Sequence, residues 1–180
     1  MLQIKEKLLA LYTRRFIKSN KTARLNVGYK QAKVIGLLYT QEDDQKKAVM
    51  LNFIEQLRNT GKNIEVLQYI PQISAKNQAL DTNFPSFSNR DVNYLGKCLN
   101  GQLASFIDTP FDYLYHIDLA SNPILDYLLV KCKAKCRVGN FDINRAHLFE
   151  IMVKFEPKTD IYALHSLAKE MLYYTQLLEI

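Results

Sequence analysis

The chain has 180 residues, 48% hydrophobic and 23% charged, with 24 basic against 18 acidic side chains. That is ordinary globular composition, and a body of this size can bury roughly 70% of its unfolded surface without needing a disulfide or a metal. No run approaches the ~20 apolar residues of a membrane span. The run Leu8–Tyr12 is shorter than the ~7–15 residues of a secretory h-region, and Cys98, Cys132 and Cys136 suit reduced thiols in a cytoplasmic protein.

The charge is unevenly distributed. Residues 1–33 carry nine basic side chains against Glu6 alone, a balance of +8, and the remaining residues are mildly acidic at −2. Such asymmetry points toward an anionic partner. Residues 2–18 read as a helix, with Leu2, Leu8, Leu9, Tyr12, Phe16 and Ile17 in a rough stripe and Lys5, Arg14, Arg15 and Lys18 largely off it. Ser19–Asn26 reads as a basic linker. Residues 1–26 are therefore expected to form an arm of basic amphipathic helix and linker, the apolar stripe docking either on the body itself or on a partner, and 27–180 a single α/β domain.

Lys33–Thr40 is almost wholly apolar after its lysine, as a strand buried on both faces should be. Carboxylates at Glu42–Asp44 open a helix running to about Thr60, with Met50, Phe53, Ile54 and Leu57 at helical spacing and Gly61 beyond its end. Ile64–Ile70 is a second strand, completing a βαβ unit with parallel strands. Residues 72–90 read as a long polar loop of the kind that is usually mobile or functional. Short helices are predicted at Asp91–Leu95 and Gly101–Ile107, and a third strand at Tyr113–Leu119. Asn122 and Pro123 form a sharp helix start. Strands at Cys136–Val138 and Phe149–Phe155 and a last helix capped by Thr159 or Asp160 complete the pattern. Alternating strands and helices predict a three-layer, doubly wound α/β fold, flavodoxin/Rossmann-like, with about five mostly parallel strands in the order 2-1-3-4-5.

The stretches GYKQAKVIGLLY (28–39), FSNRDVNYLGK (87–97), FDYLYHIDLA (111–120), AKCRVG (134–139), FEIMVKF (149–155) and the terminal MLYYTQLLEI resemble a family of unknown function found mainly in Bacteroidetes. The resemblance covers most of the chain, implies an α/β domain with a basic N-terminal helix, and supplies no catalytic residues. A shorter block, FDYLYHIDL with YLLVKCKAKCRVG, has the rhythm of half of a heptosyltransferase-like glycosyltransferase.

No catalytic or metal-binding motif stands out, and no cofactor is expected. Cys132 and Cys136 lack the second ligand pair of a zinc site and read as structural thiols. His116 lies in a predicted central strand and reads as a core histidine. Asp108 and Asp112 read as turn chemistry, and Lys131, Lys133, Lys135 and Arg137 as a solvated edge. Two candidate regions remain. Ligands of open parallel sheets bind beyond the strand ends where the order reverses, which places Thr40, Gln41, Asp118, Ser121 and Asn122 around a crevice for a small anionic or sugar-nucleotide-like ligand. No glycine-rich phosphate cradle follows the first strand. The other region is the arm, where Arg14, Arg15, Lys18, Lys21 and Arg24 are expected to meet an anionic surface: membrane, RNA or an acidic protein. No pattern supports sequence-specific nucleic-acid recognition. The expected setting is the cytoplasm, including the inner membrane face.

Overall fold

Two faces of burial organise the sheet. In the strand Val34–Thr40 (β1), Ile35, Leu37 and Tyr39 enter one core and Leu38 the other, as strand alternation requires. The computed structural model describes residues 2–19, 27–71, 84–154 and 160–178. Its remaining strands are Asn63–Tyr69 (β2), Ser86–Phe87 (β3), Phe111–His116 (β4), Ala134–Asn140 (β5) and Ile151–Val153 (β6). Its helices are Leu2–Ser19 (α1), Asp44–Arg58 (α2), Gly101–Asp108 (α3), Pro123–Lys131 (α4) and Asp160–Leu177 (α5). The sheet runs β3-β2-β1-β4-β5-β6 with every pairing parallel. This is a Rossmann- or flavodoxin-like α/β arrangement, and the order expected for the five recognised strands holds.

The sixth strand is an addition. β3 lies inside the stretch read as loop and pairs Ser86 and Phe87 with Gln68 and Tyr69 at the sheet edge. Two residues are too few to show a period, so the pattern missed it. The helix expected at Asp91–Leu95 is instead a short 3-10 turn at Asn89–Asp91. Ser88 and Asp91 form a capping box there, but a tight loop closed by a Val92–Cys98 bridge follows at once. β4 also stops earlier than expected, because the chain beyond His116 turns to place Asp118 against Thr40.

Local signals explain the helix starts. Asp43 caps α2 by accepting from the Lys46 amide at 2.7 Å, Asn100 accepts from the Gln102 amide at 2.8 Å, and Asn122 accepts from the Ile124 amide at 2.9 Å ahead of Pro123. Helices α2 and α5 cover one sheet face, where Met50, Phe53, Leu57, Leu167 and Met171 meet Tyr113 and Tyr115. Helices α1, α3 and α4 cover the other, where Leu103, Phe106, Ile124 and Leu128 meet Phe111 and Leu114.

Helix α1 is part of that second core. Leu9 is fully buried, and Tyr12, Phe16 and Ile17 pack against the cluster, with α1 alongside α4. Lys5 is also buried and donates to the Asn89 carbonyl. Of the predicted linker, Ser19 ends α1, and residues 20–26, with Lys21 and Arg24, lie outside the described residues. Thr159 lies outside them too.

Candidate functional sites

The strand order reverses between β1 and β4, and the two central members of the predicted crevice meet there. Asp118 is 3% exposed. Its carboxylate accepts from the Thr40 amide at 3.1 Å and from the Thr40 hydroxyl at 2.9 Å. Lys46, from the first turn of α2, donates to it at 2.5 Å and lies 3.4 Å from Glu42. The His116 Nε2 sits 3.4 Å from Asp118, in ion-pair range but off hydrogen-bond alignment. On the far side of the ring, Nδ1 lies 3.5 Å from the Arg145 guanidinium, which donates to Asp126 at 2.5 Å and rests over the Phe149 ring.

The result is a row of alternating charge from α2 across the strand ends to α4. Burial alone would raise the Asp118 carboxyl; His116 and Lys46 outweigh that and hold it at about 2. A carboxylate so stabilised is a poor proton acceptor at neutral pH. The Thr40 hydroxyl already donates to it, and both His116 nitrogens face charged neighbours. The arrangement therefore ties β1, β4, α2 and α4 together.

The other predicted crevice residues do different work. Gln41 is buried and donates to the Asp43 carbonyl at 2.8 Å; its Oε1 has no partner among the described residues. Asn122 serves as the α4 cap, and Ser121 is exposed. A cavity of about 270 Å³ opens beside the row, lined by Glu42, Asp43, Lys46, Val49, Leu119 and Leu164 among others. Lys46, Asp126 and Arg145 were missed from the sequence. A lysine in the first turn opposes the helix dipole, which was the one available sign that Lys46 has a tertiary partner. Nothing in the run around Arg145 signals its role.

The second region is the outer side of α1. Arg14, Arg15 and Lys18 are exposed, as is Lys7, and no ion pair joins them to an acid among the described residues. The apolar stripe of the helix is committed to the body through Leu9, Tyr12, Phe16 and Ile17.

The other residues singled out in the sequence lie elsewhere in the fold. Cys132 and Cys136 belong to opposite cores, so their C-x3-C spacing cannot join them at one metal. Burial pushes both thiols up to about 12. Asp112 accepts from the Lys33 and Val34 amides and from Lys135 at the opposite end of the sheet. Lys133 pairs with Asp108 in solvent, whereas Arg137 departs from the expected solvated edge: it is buried on Glu150.

Fold and sites together define a three-layer parallel-sheet α/β protein whose switch-point polar groups are bound largely to one another and whose first helix presents exposed cations that no acid among the described residues pairs. Residues 5–178 match the model of a family of unknown function, DUF6913, and the chain belongs to that family. Comparison with curated proteins and with solved structures gives no match. Among the described residues no helix is long and apolar enough to cross a membrane.

Proposed function

We propose that the protein is a non-enzymatic cytoplasmic binding or accessory protein that meets an anionic partner through the outer face of α1. The carrying observation is the exposed set Arg14, Arg15 and Lys18, without an acidic partner among the described residues, on a helix whose inner face is anchored to the body. Anchoring matters because cations fixed on a packed helix lose less freedom on binding than those of a loose arm. Lys21 and Arg24 follow directly in sequence and extend the same positive run. Three free cysteines suit a reducing compartment. Association should weaken steeply with salt, and Arg14→Glu with Arg15→Glu should abolish it while leaving the circular dichroism spectrum unchanged. Salt-insensitive binding, or binding that survives both substitutions, would remove the basis for this role.

The cavity beside Lys46 favours a second reading, a small ligand held beyond β1 and β4. Glu42 and Asp43 on its wall disfavour a bare phosphate, so hydroxyl groups, as on a sugar, suit it better. A thermal shift with sugars or nucleotide-sugars that disappears in Lys46→Met, and is absent with inorganic phosphate, is the outcome this reading requires.

A further inference from the structure

The outer face of α1 is not purely basic. Successive residues are about 100° apart around a helix, which places Ile4 and Leu11 on one line, with Lys7, Arg14 and Lys18 to one side and Arg15 to the other. Ile4 is 62% and Leu11 43% exposed. Two bulky aliphatic side chains thus occupy the centre of the cationic face, although the helix has already filled its inner side with apolar residues.

A second feature stands beside it. The Val92–Cys98 bridge closes a short loop. Inside it, the Gly96 amide donates to the Asn93 carbonyl, and the Asn93 side chain accepts from the amides of Leu95 and Lys97. Gly96 has a φ of +73°, and a Cβ there would strike Tyr127, whose hydroxyl donates to the Gly96 carbonyl at 2.8 Å. The loop is therefore rigid and fastened to α4. It holds Leu95 at 77% exposure, with Tyr94 at 45% and Leu99 at 60%. Lys97 between them is exposed. The buried Lys5 side chain of α1 lies 6.0 Å from the Tyr94 ring centroid, so loop and helix are neighbours.

Aliphatic tips, an interfacial tyrosine and surrounding lysines and arginines are the composition of a surface that rests in a lipid headgroup layer. The aliphatic groups enter the acyl boundary while the long cationic side chains reach the phosphates. RNA fits less well, because Ile4, Leu11, Leu95 and Leu99 offer it neither stacking nor charge. We infer that α1 and the loop 93–99 form a peripheral membrane-docking surface for anionic lipid, which presupposes that α1 meets an anion and names which kind.

The full chain contains no tryptophan, so Leu95→Trp is a site-specific reporter. Its emission should shift to the blue with vesicles of phosphatidylcholine mixed with phosphatidylglycerol, and not with phosphatidylcholine alone. In sedimentation, Leu95→Ser should weaken vesicle binding about fivefold, the order expected for losing part of a leucine's burial. Ile4→Ser with Leu11→Ser should do the same. Neither change should alter binding to a single-stranded RNA oligonucleotide or to polyglutamate, used as lipid-free polyanions. These positions are exposed, so the variants retain the fold, as circular dichroism would check. Vesicle binding indifferent to the aliphatic substitutions would overturn the inference. So would binding to RNA or polyglutamate, dependent on Arg14 and Arg15, without vesicle binding; the anionic-partner reading would then stand. Binding to none of the three would end both.

Discussion

Asp118 shows how a residue placed for a ligand by topology can already be engaged by its own neighbours. It lies where a ligand carboxylate would lie, beyond β4 at the switch point, yet Thr40 and Lys46 occupy its oxygens and His116 stands against it. Its folded pKa of about 2 is below the ordinary ~3.9. The ionised form is therefore favoured by folding, and this contribution is complete above about pH 4 and lost as pH falls toward 2. Asp118→Asn should lower unfolding free energy at neutral pH by about 3 kcal/mol, because buried Lys46 loses its nearer counter-charge and keeps only the more exposed Glu42. In urea titrations the deficit should shrink as pH drops from 4 to 2; a constant deficit would exclude the carboxylate's charge as its source. The thiols give a second check at this scale. Cys132 and Cys136, buried and raised to about 12, should resist an aromatic disulfide reagent in the native protein and react once it is unfolded. Thr40 and Asp118 were legible because strand ends and order reversal are legible. Arg145 was not, because its position depends on where a short turn after β5 returns to His116, a tertiary fact with no local code.

At the scale of elements, α1 is the instructive case. Its inner residues read as a stripe from the sequence, but spacing alone could not say what the stripe would cover. The structure lays it along α4, which is the docking on the body that the amphipathic stripe allowed, so part of the N-terminal segment is core. Leu9→Ala should cost about 3 kcal/mol, the usual scale for emptying a leucine site in a packed interior. A fall in urea midpoint with anion binding intact would separate the helix's inner duty from its outer one. The start of α4 was the most legible, Asn122 capping it ahead of Pro123 as expected, whereas the caps Asp43 and Asn100 show only in the structure. Short strands were the least legible. β5 reads from sequence as Cys136–Val138 but spans Ala134–Asn140, because Lys135 and Arg137 find acids in Asp112 and Glu150 and so can alternate within a buried strand. Gly139 in that strand faces the Phe149 ring, which occupies the space a Cβ would take. Gly139→Ala should therefore destabilise by about 1–3 kcal/mol through overpacking, measurable as a lowered melting temperature.

Over the whole molecule, the +8 of residues 1–33 divides among several tasks. Lys5 is spent inside, on the Asn89 carbonyl and beside Tyr94. Lys7, Arg14, Arg15 and Lys18 remain on the outside of α1, and these give the molecule its polarity. The sheet has a further consequence for how such molecules can meet. Among the described residues its outermost strands are its shortest, β3 with two residues and β6 with three. A docking strand would find only a few free amides and carbonyls at either margin, too few to template another chain. Copies crowded onto one surface would thus stay separate units instead of knitting edge to edge, and any lateral association would have to be made by helices.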